Sequence, residues 1–308
     1  MELLTPGRRP GPPDPAAPFR RVLLISRDDE LDSVLARRRV AAHLGGLRPV
    51  PLVPGGPPPD AALVCDDERA TARLLGLGVP VVHLRSGHDP GPGPATGDDG
   101  RALRRLHRPG WLPGPRPAGA RTTGVLAPAR LTRDRARAGT LLLLSLWGVP
   151  DGEAGAFAAG PLRALVHEAE RRTGRCEVVC DVRLAAVRAG LGGARPVRAV
   201  AEVDVDALHA AAEVFLASPT TGALALAHAR GAPLCFLPPL GAAQRDLAER
   251  VGRVVPVPRA ADPADPAVWT PPGVGPRGLW DAVDPGLDDL RGAQRVARTL
   301  RQLALAPL

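Results

Sequence analysis

Lysine, asparagine and tyrosine are absent from this 308-residue chain, isoleucine and methionine occur once each (Ile25, Met1), and aromatic residues make up 3%. The missing types share AT-rich codons, so the composition reads as that of a high-GC bacterial gene. Scarce aromatics remove the stacking platforms on which single-stranded nucleic acid binding relies, and no RNP, zinc-finger or helix-turn-helix pattern is present. The formal charge of +8 comes from 40 Arg against 32 acids, spread along the chain. That pattern describes solvated arginine surfaces and argues against a nucleic-acid partner. The four cysteines (Cys65, Cys176, Cys180, Cys235) form no framework. Cys176 and Cys180 would share one face of a strand but lie about 13 Å apart at ~3.3 Å per residue, too far for a disulfide or one metal ion. They read as core thiols of a reducing compartment. No apolar run approaches the ~18 residues of a membrane span, and the Pro-rich N-terminus lacks the apolar stretch of a signal peptide. These absences predict a cytoplasmic protein that can touch a membrane surface through arginine without spanning it.

What is present is enough for packed cores: 44% of residues are hydrophobic, and this length makes one large domain or two ordinary ones. Residues 1–19 are rich in Pro, Gly and Arg and are expected to be a disordered tail. A first domain at 20–138 is expected to hold strands at 21–26, 61–65 and 79–84. Helices fall at 33–44, ended by Gly45-Gly46, and between the last two strands. From 85 to 139 Pro and Gly rise again, predicting a linker with short elements near 101–107 and 122–127. A second domain at 139–286 opens on Leu141-Leu142-Leu143-Leu144-Ser145. Strands are predicted at 176–180, 197–200, 213–217, 233–237 and 253–257. Helices alternate with them at 153–172, 183–189, 204–212, 222–230 and 242–251. Apolar strands alternating with helices predict an α/β fold, two Rossmann-like domains of parallel sheets covered on both faces. A loop-rich stretch at 258–286 leads to a basic amphipathic helix within 287–308.

Ligands of such sheets bind beyond the carboxyl ends of the strands, near helix N-termini. The foremost candidate is Ala217-Ser218-Pro219-Thr220-Thr221-Gly222, between a strand and a helix. Its hydroxyls and free amides could grip a phosphate with help from the helix dipole. Alternatively, Thr220 or Thr221 simply caps a buried Ala/Leu helix. Asp66-Asp67-Glu68 follows a strand and could face the same cleft or cap the next helix. His83 and His88 have no third ligand at metal spacing, so no metal site is expected. Trp147 could wall a site or fill the core.

The stretch from Val203 through Asp204, Ala217-Ser218-Pro219-Thr220-Thr221-Gly222, Arg230-Gly231-Ala232-Pro233 and Pro238 to Gln244 resembles the C-terminal half of GT-B glycosyltransferases. It is most similar to enzymes that move N-acetylglucosamine from UDP. High-GC chains of this kind also resemble those called CGA synthase-related proteins. The resemblance covers about 110 residues and extends to Leu141–Gly148 as an opening strand and loop. It implies a nucleotide-sugar, a UDP-sugar foremost, held between two domains, with metal-independent transfer, no cofactor, and a terminal helix bracing both halves. Carried over, Ser218, Thr220, Thr221 and Gly222 would surround the diphosphate, and backbone at Val203 would meet the base. Ser145 and Gly148 would border the cleft, and Gln244 would contact sugar hydroxyls.

Several positions depart from that pattern. The Gly-Gly pair is Thr220-Thr221, the family's Thr is Ala223, and the Glu that grips the ribose diol is Leu226. Ala243 and Leu247 replace an acid and an amide, and the glycine-rich loop with its His base is missing. Asp32 stands near that base position and could act as general base, or belong to an acidic helix start favoured by the dipole. Losing the ribose acceptor costs about 1.5–3 kcal/mol, and losing a base about 10²–10⁴ in rate. Two functions therefore remain open: a hexosyltransferase-like enzyme acting on a small or lipid-linked acceptor, or a degenerate homologue serving as a binding or partner subunit of an active glycosyltransferase. Both depend on whether the amides of the Ser218–Gly222 corner are free.

Overall fold

The computed structural model describes residues 20–51, 53, 56–89, 102–115, 121–193, 195–269 and 278–306; the tail expected at 1–19 lies outside them. Two parallel five-stranded sheets organise the chain. The first contains β1 (Arg20–Ile25), β2 (Leu47–Pro49), β3 (Ala61–Cys65), β4 (Val81–Arg85) and β5 (Ala102–Leu106), in the order β2-β1-β3-β4-β5. α1 (Leu31–Ala41) follows β1 and α2 (Glu68–Gly76) follows β3. β3 has no exposed residue, as a strand covered on both faces must be. The edge strands are blunted, β2 by Pro49 and β5 by Arg104 and Arg105, which discourages pairing with other chains.

The second sheet is β10-β9-β6-β7-β8. Its chain order is β6 (Thr140–Leu144), α3 (Asp151–Ala159), α4 (Pro161–Thr173), β7 (Cys176–Cys180), α5 (Leu184–Gly190), β8 (Val197–Ala199), α6 (Val205–Ala211), β9 (Val214–Ala217), α7 (Thr221–Ala229), β10 (Cys235–Phe236) and α8 (Gly241–Gly252). A short α9 (Pro266–Trp269) and α10 (Gly292–Leu305) complete it. The strand order reverses between β6 and β9, which opens a crevice at their carboxyl ends. α10 returns to the first sheet, where Ala293, Val296, Ala297 and Leu300 pack with Val22, Leu63 and Leu84.

The α/β reading holds, with local corrections. The helix expected at 153–172 is two helices, because Gly160 leaves helical geometry and Pro161 cannot donate back into the preceding turn. The segment 253–257 is no strand: Val257 N–H turns back to Val255 O, and Val255 joins the core without a ladder. β5, expected within a linker, pairs with β4 over five residues. β2 was illegible because its three residues include only one buried apolar side chain.

α1 joins the cores of the two sheets, with Ala36 and Val40 packed in that of the first. Leu31, Val34 and Leu35 of α1 pack in one cluster with Leu141, Phe215, Leu224, Leu226 and Leu247 of the second sheet and its helices. Trp111 and Trp280 close this cluster with their rings 6.1 Å apart.

Candidate functional site

The carboxyl ends of both sheets face one another, and α1 and α7 meet there. α7 begins with three amides that need acceptors from outside the helix. Thr220, at the N-cap, accepts from Ala223 N–H at 3.2 Å through its hydroxyl. Asp32, from α1 of the first domain, takes the other two: Gly222 N–H at 2.7 Å on one oxygen, Thr221 N–H at 3.2 Å on the other. Thr221 Oγ lies 2.8 Å from the same carboxylate and 2.6 Å from Ser86 O, with one proton for the two acceptors. A carboxylate thus sits where the helix dipole and free amides would seat a phosphate. Gly222 makes this approach possible, since a Cβ there would stand 2.6 Å from Asp32 Oδ1 and 2.8 Å from Leu35 Cδ1.

A second buried carboxylate, Asp181 at the end of β7, is held within its own half of the molecule: it accepts from Ser145 Oγ at 2.7 Å and from Leu146 and Val182 N–H at 2.8 Å each. Burial raises both acids, Asp32 to about 6, against the lowering effect of their donors.

The remaining candidates also have partners within the chain. Ser145 N–H donates to Ser218 Oγ at 3.0 Å across the switch point. Gln244 spans Leu240 N–H (3.0 Å) and Ser145 O (2.9 Å). The carbonyl of Val203 accepts from Arg38 Nη1, whose guanidinium also reaches Val200 O at 3.0 Å. Gly148, at φ +69, turns the chain after Trp147, a backbone that only glycine adopts without strain. Trp147 is 38% exposed, and Arg27 of the first domain lies 3.8 Å above its ring; it walls the crevice. Leu226, where the resemblance would place an acceptor for a ribose diol, is wholly buried in the cluster that α1 shares.

Glu30 escaped the sequence reading, and Asp66 and His88 take partners that it did not show. Glu30 is pushed up to about 9, first by burial and then by Asp66 and Asp32 nearby. Asp66 follows β3 with φ 58 and accepts from Ser86 N–H at 2.7 Å, while its neighbour Asp67 caps α2. The two readings of the Asp66-Asp67-Glu68 run are thus both realised, by different residues. His88 meets Asp246 across the domains at 2.5 Å. Asp66 and Asp181 both end strands, a legible signal; the cross-domain partners of Asp32, Arg38 and His88 left none.

The sequence matches the family described as CGA synthase-related protein over residues 22–308. Comparison with curated proteins finds no match. Solved structures similar to the chain include the glycosyltransferase SnogD from Streptomyces nogalater, 19% identical over 93% of this chain and 95% of that one, with a TM-score of 0.42. The spinosyn rhamnosyltransferase SpnG complexed with thymidine diphosphate is 17% identical over 92% and 96%, at 0.42. LpCGTa in complex with UDP is 11% identical over 94% and 100%, at 0.49.

Proposed function

This chain belongs to the CGA synthase-related protein family, and from that premise we propose that it is a glycosyltransferase-like protein that has lost transfer and serves as a binding or partner subunit, with an active glycosyltransferase as the partner. The carrying observation is the carboxylate of Asp32 on the amides of Thr221 and Gly222. In a nucleotide-sugar enzyme of this architecture the diphosphate would need that seat. Arg38 likewise holds the Val203 carbonyl that would meet the base. Leu226 cannot accept from a ribose diol.

Calorimetry with UDP, thymidine diphosphate and their sugars tests this. The wild-type protein should give no binding heat, whereas Asp32→Ala should acquire pyrophosphate binding by freeing two amides. Binding of UDP to the unaltered chain would sink the proposal. It would favour the rival reading, transfer from a UDP-sugar across an opened cleft, for which one feature speaks: Asp32 at about 6 lies in the range of a general base.

A further inference from the structure

At the opposite end of the second sheet from the crevice, the connection that leads into β6 passes the amino ends of β6, β7 and β9. Residues 130–137 read Arg-Leu-Thr-Arg-Asp-Arg-Ala-Arg. Packing brings Arg175, just before β7, and Arg230, just after α7, to the same place. The segment is held in position along its length. Asp134 N–H donates to Ala210 O at 2.9 Å and Ala138 N–H to Ala211 O at 3.0 Å, both at the carboxyl end of α6. Arg230 Nη2 donates to Arg130 O at 2.9 Å, and Arg175 Nη2 to Ala138 O at 3.3 Å. A surface fixed in advance loses little freedom when a partner settles on it.

The carboxyl end of α6 draws some of this charge, since Arg133 donates to its C-cap carbonyl, Ala212 O. That end carries only about half a negative charge. Arg130 pairs with Asp134 at 2.7 Å, but among the described residues no carboxylate pairs with Arg133, Arg135, Arg137, Arg175 or Arg230. Asp206, near Arg230, is taken up by Arg39 at 2.8 Å, and one acid, Glu213, stays exposed after Ala212. On the flank of the same domain, by contrast, Arg171, Arg172, Arg195 and Arg198 each hold a carboxylate. Arg133 registers the imbalance: it is held down to about 10, first by burial and then by the charges of Arg137 and Arg230. Its Nε is buried with no acceptor. Uncompensated charge of one sign strains the compact state and favours an oppositely charged partner.

Leu131 stands 47% exposed within this basic stretch. Arginine is enriched where proteins meet, and an apolar side chain among arginines suits such a contact. No Trp or Phe lies along 129–138, so a nucleic-acid strand would find no platform for its bases. We propose that residues 130–137, with Arg175 and Arg230, form a docking surface for an acidic segment of a partner protein. Its carboxylates meet the arginines, and an apolar residue of the segment covers Leu131. The inference rests on the partner-subunit reading above and gives that subunit the face by which it is held.

Fluorescence anisotropy on the full chain, with a labelled peptide of repeating Glu-Glu-Leu, tests it. The wild type should bind the peptide. Affinity should fall about tenfold or more when Arg135→Glu and Arg137→Glu, both at exposed positions, are combined. Leu131→Ala should weaken binding by a smaller factor. The same charge change at exposed sites on α4 and α10, Arg163→Glu with Arg298→Glu, should leave affinity within about twofold of the wild type at physiological ionic strength, where charges beyond about 8 Å are screened. Absence of binding to the folded wild type overturns the inference, as does unchanged affinity in the Arg135, Arg137 pair. An equal loss in the distant pair overturns it too, because binding would then follow net charge alone. Tighter binding of oligothymidylate than of the peptide, lost in the Arg135, Arg137 pair, would assign the surface to nucleic acid and overturn it as well. UDP calorimetry reads the amides of α7 separately. Heat from UDP with the peptide still bound removes the partner-subunit reading alone, whereas a failed peptide titration with silent UDP removes the docking surface alone.

Discussion

Gly222 and Asp32 show how much one contact decides. The helix start of α7 tolerates no Cβ because the carboxylate of another domain already stands 2.6 Å from where it would be. Gly222→Ala must therefore push Asp32 and Leu35 away, and overpacking of this kind typically costs about 1–3 kcal/mol. Urea unfolding of the variant should show a loss in that range; an unchanged midpoint would mean that the two domains do not close on this residue. The orphaned amides of Asp32→Ala are a different kind of loss, one that an added anion can repair. Pyrophosphate should raise the melting temperature of Asp32→Ala and leave the wild type where it is.

At the scale of the element, α1 is the part of the first domain that occupies the second. Positions 32, 35 and 39 recur at helical spacing and share one face. Asp32 meets α7, Leu35 enters the shared core and Arg39 reaches Asp206 at 2.8 Å, Leu126 O at 3.0 Å and Gly222 O at 3.3 Å. Arg39 is 2% exposed. Replacing it by Met removes the charge that balances Asp206, which is buried on its Arg39 side, and strands two carbonyls. Breaking a buried pair in this way costs on the order of 3–5 kcal/mol. Arg39→Met should accordingly unfold at much lower urea, and a shift below about 1 kcal/mol would show that α1 is held by its apolar face alone. The same helix ties the two halves together: its apolar residues belong to the second domain's core as much as to the first's.

The whole molecule is shaped by acids that it keeps out of water. Glu30 retains its proton to about 9 in the folded chain, against an ordinary value near 4.5. Between these values the folded state binds the extra proton, so stability falls as pH rises. The buried histidines act in the opposite sense, with His107 held down to about 3 by burial. Their contribution is lost only as pH falls below about 6.5, where the unfolded chain protonates. From pH 6.5 to about 8, below the range in which the thiols of the unfolded chain ionise, the decline therefore belongs to the acids, Glu30 foremost, at up to about 1.4 kcal/mol per pH unit. Melting temperatures should drop across that window, and Glu30→Gln should flatten the slope. A profile unchanged in Glu30→Gln would place the proton elsewhere. Because α1 is packed into the cores of both sheets, the fold should also melt in a single transition.

Much of this was written in the sequence. The continuous apolar strands, Leu141–Leu144 above all, require burial on both faces and so a parallel sheet with helices around it. Asp204 and Thr220 cap helices by local geometry alone, and Ser218 to Gly222 falls at a strand end because the chain order puts it there. What the sequence left undetermined is who fills that corner. Asp32 and Gly222 are separated by 190 positions, and nothing in the spacing of either reveals that a carboxylate from one domain replaces the phosphate expected of the other. Local patterns report the energy of forming an element, whereas the partner of a helix dipole is chosen only when the elements have packed and water has left.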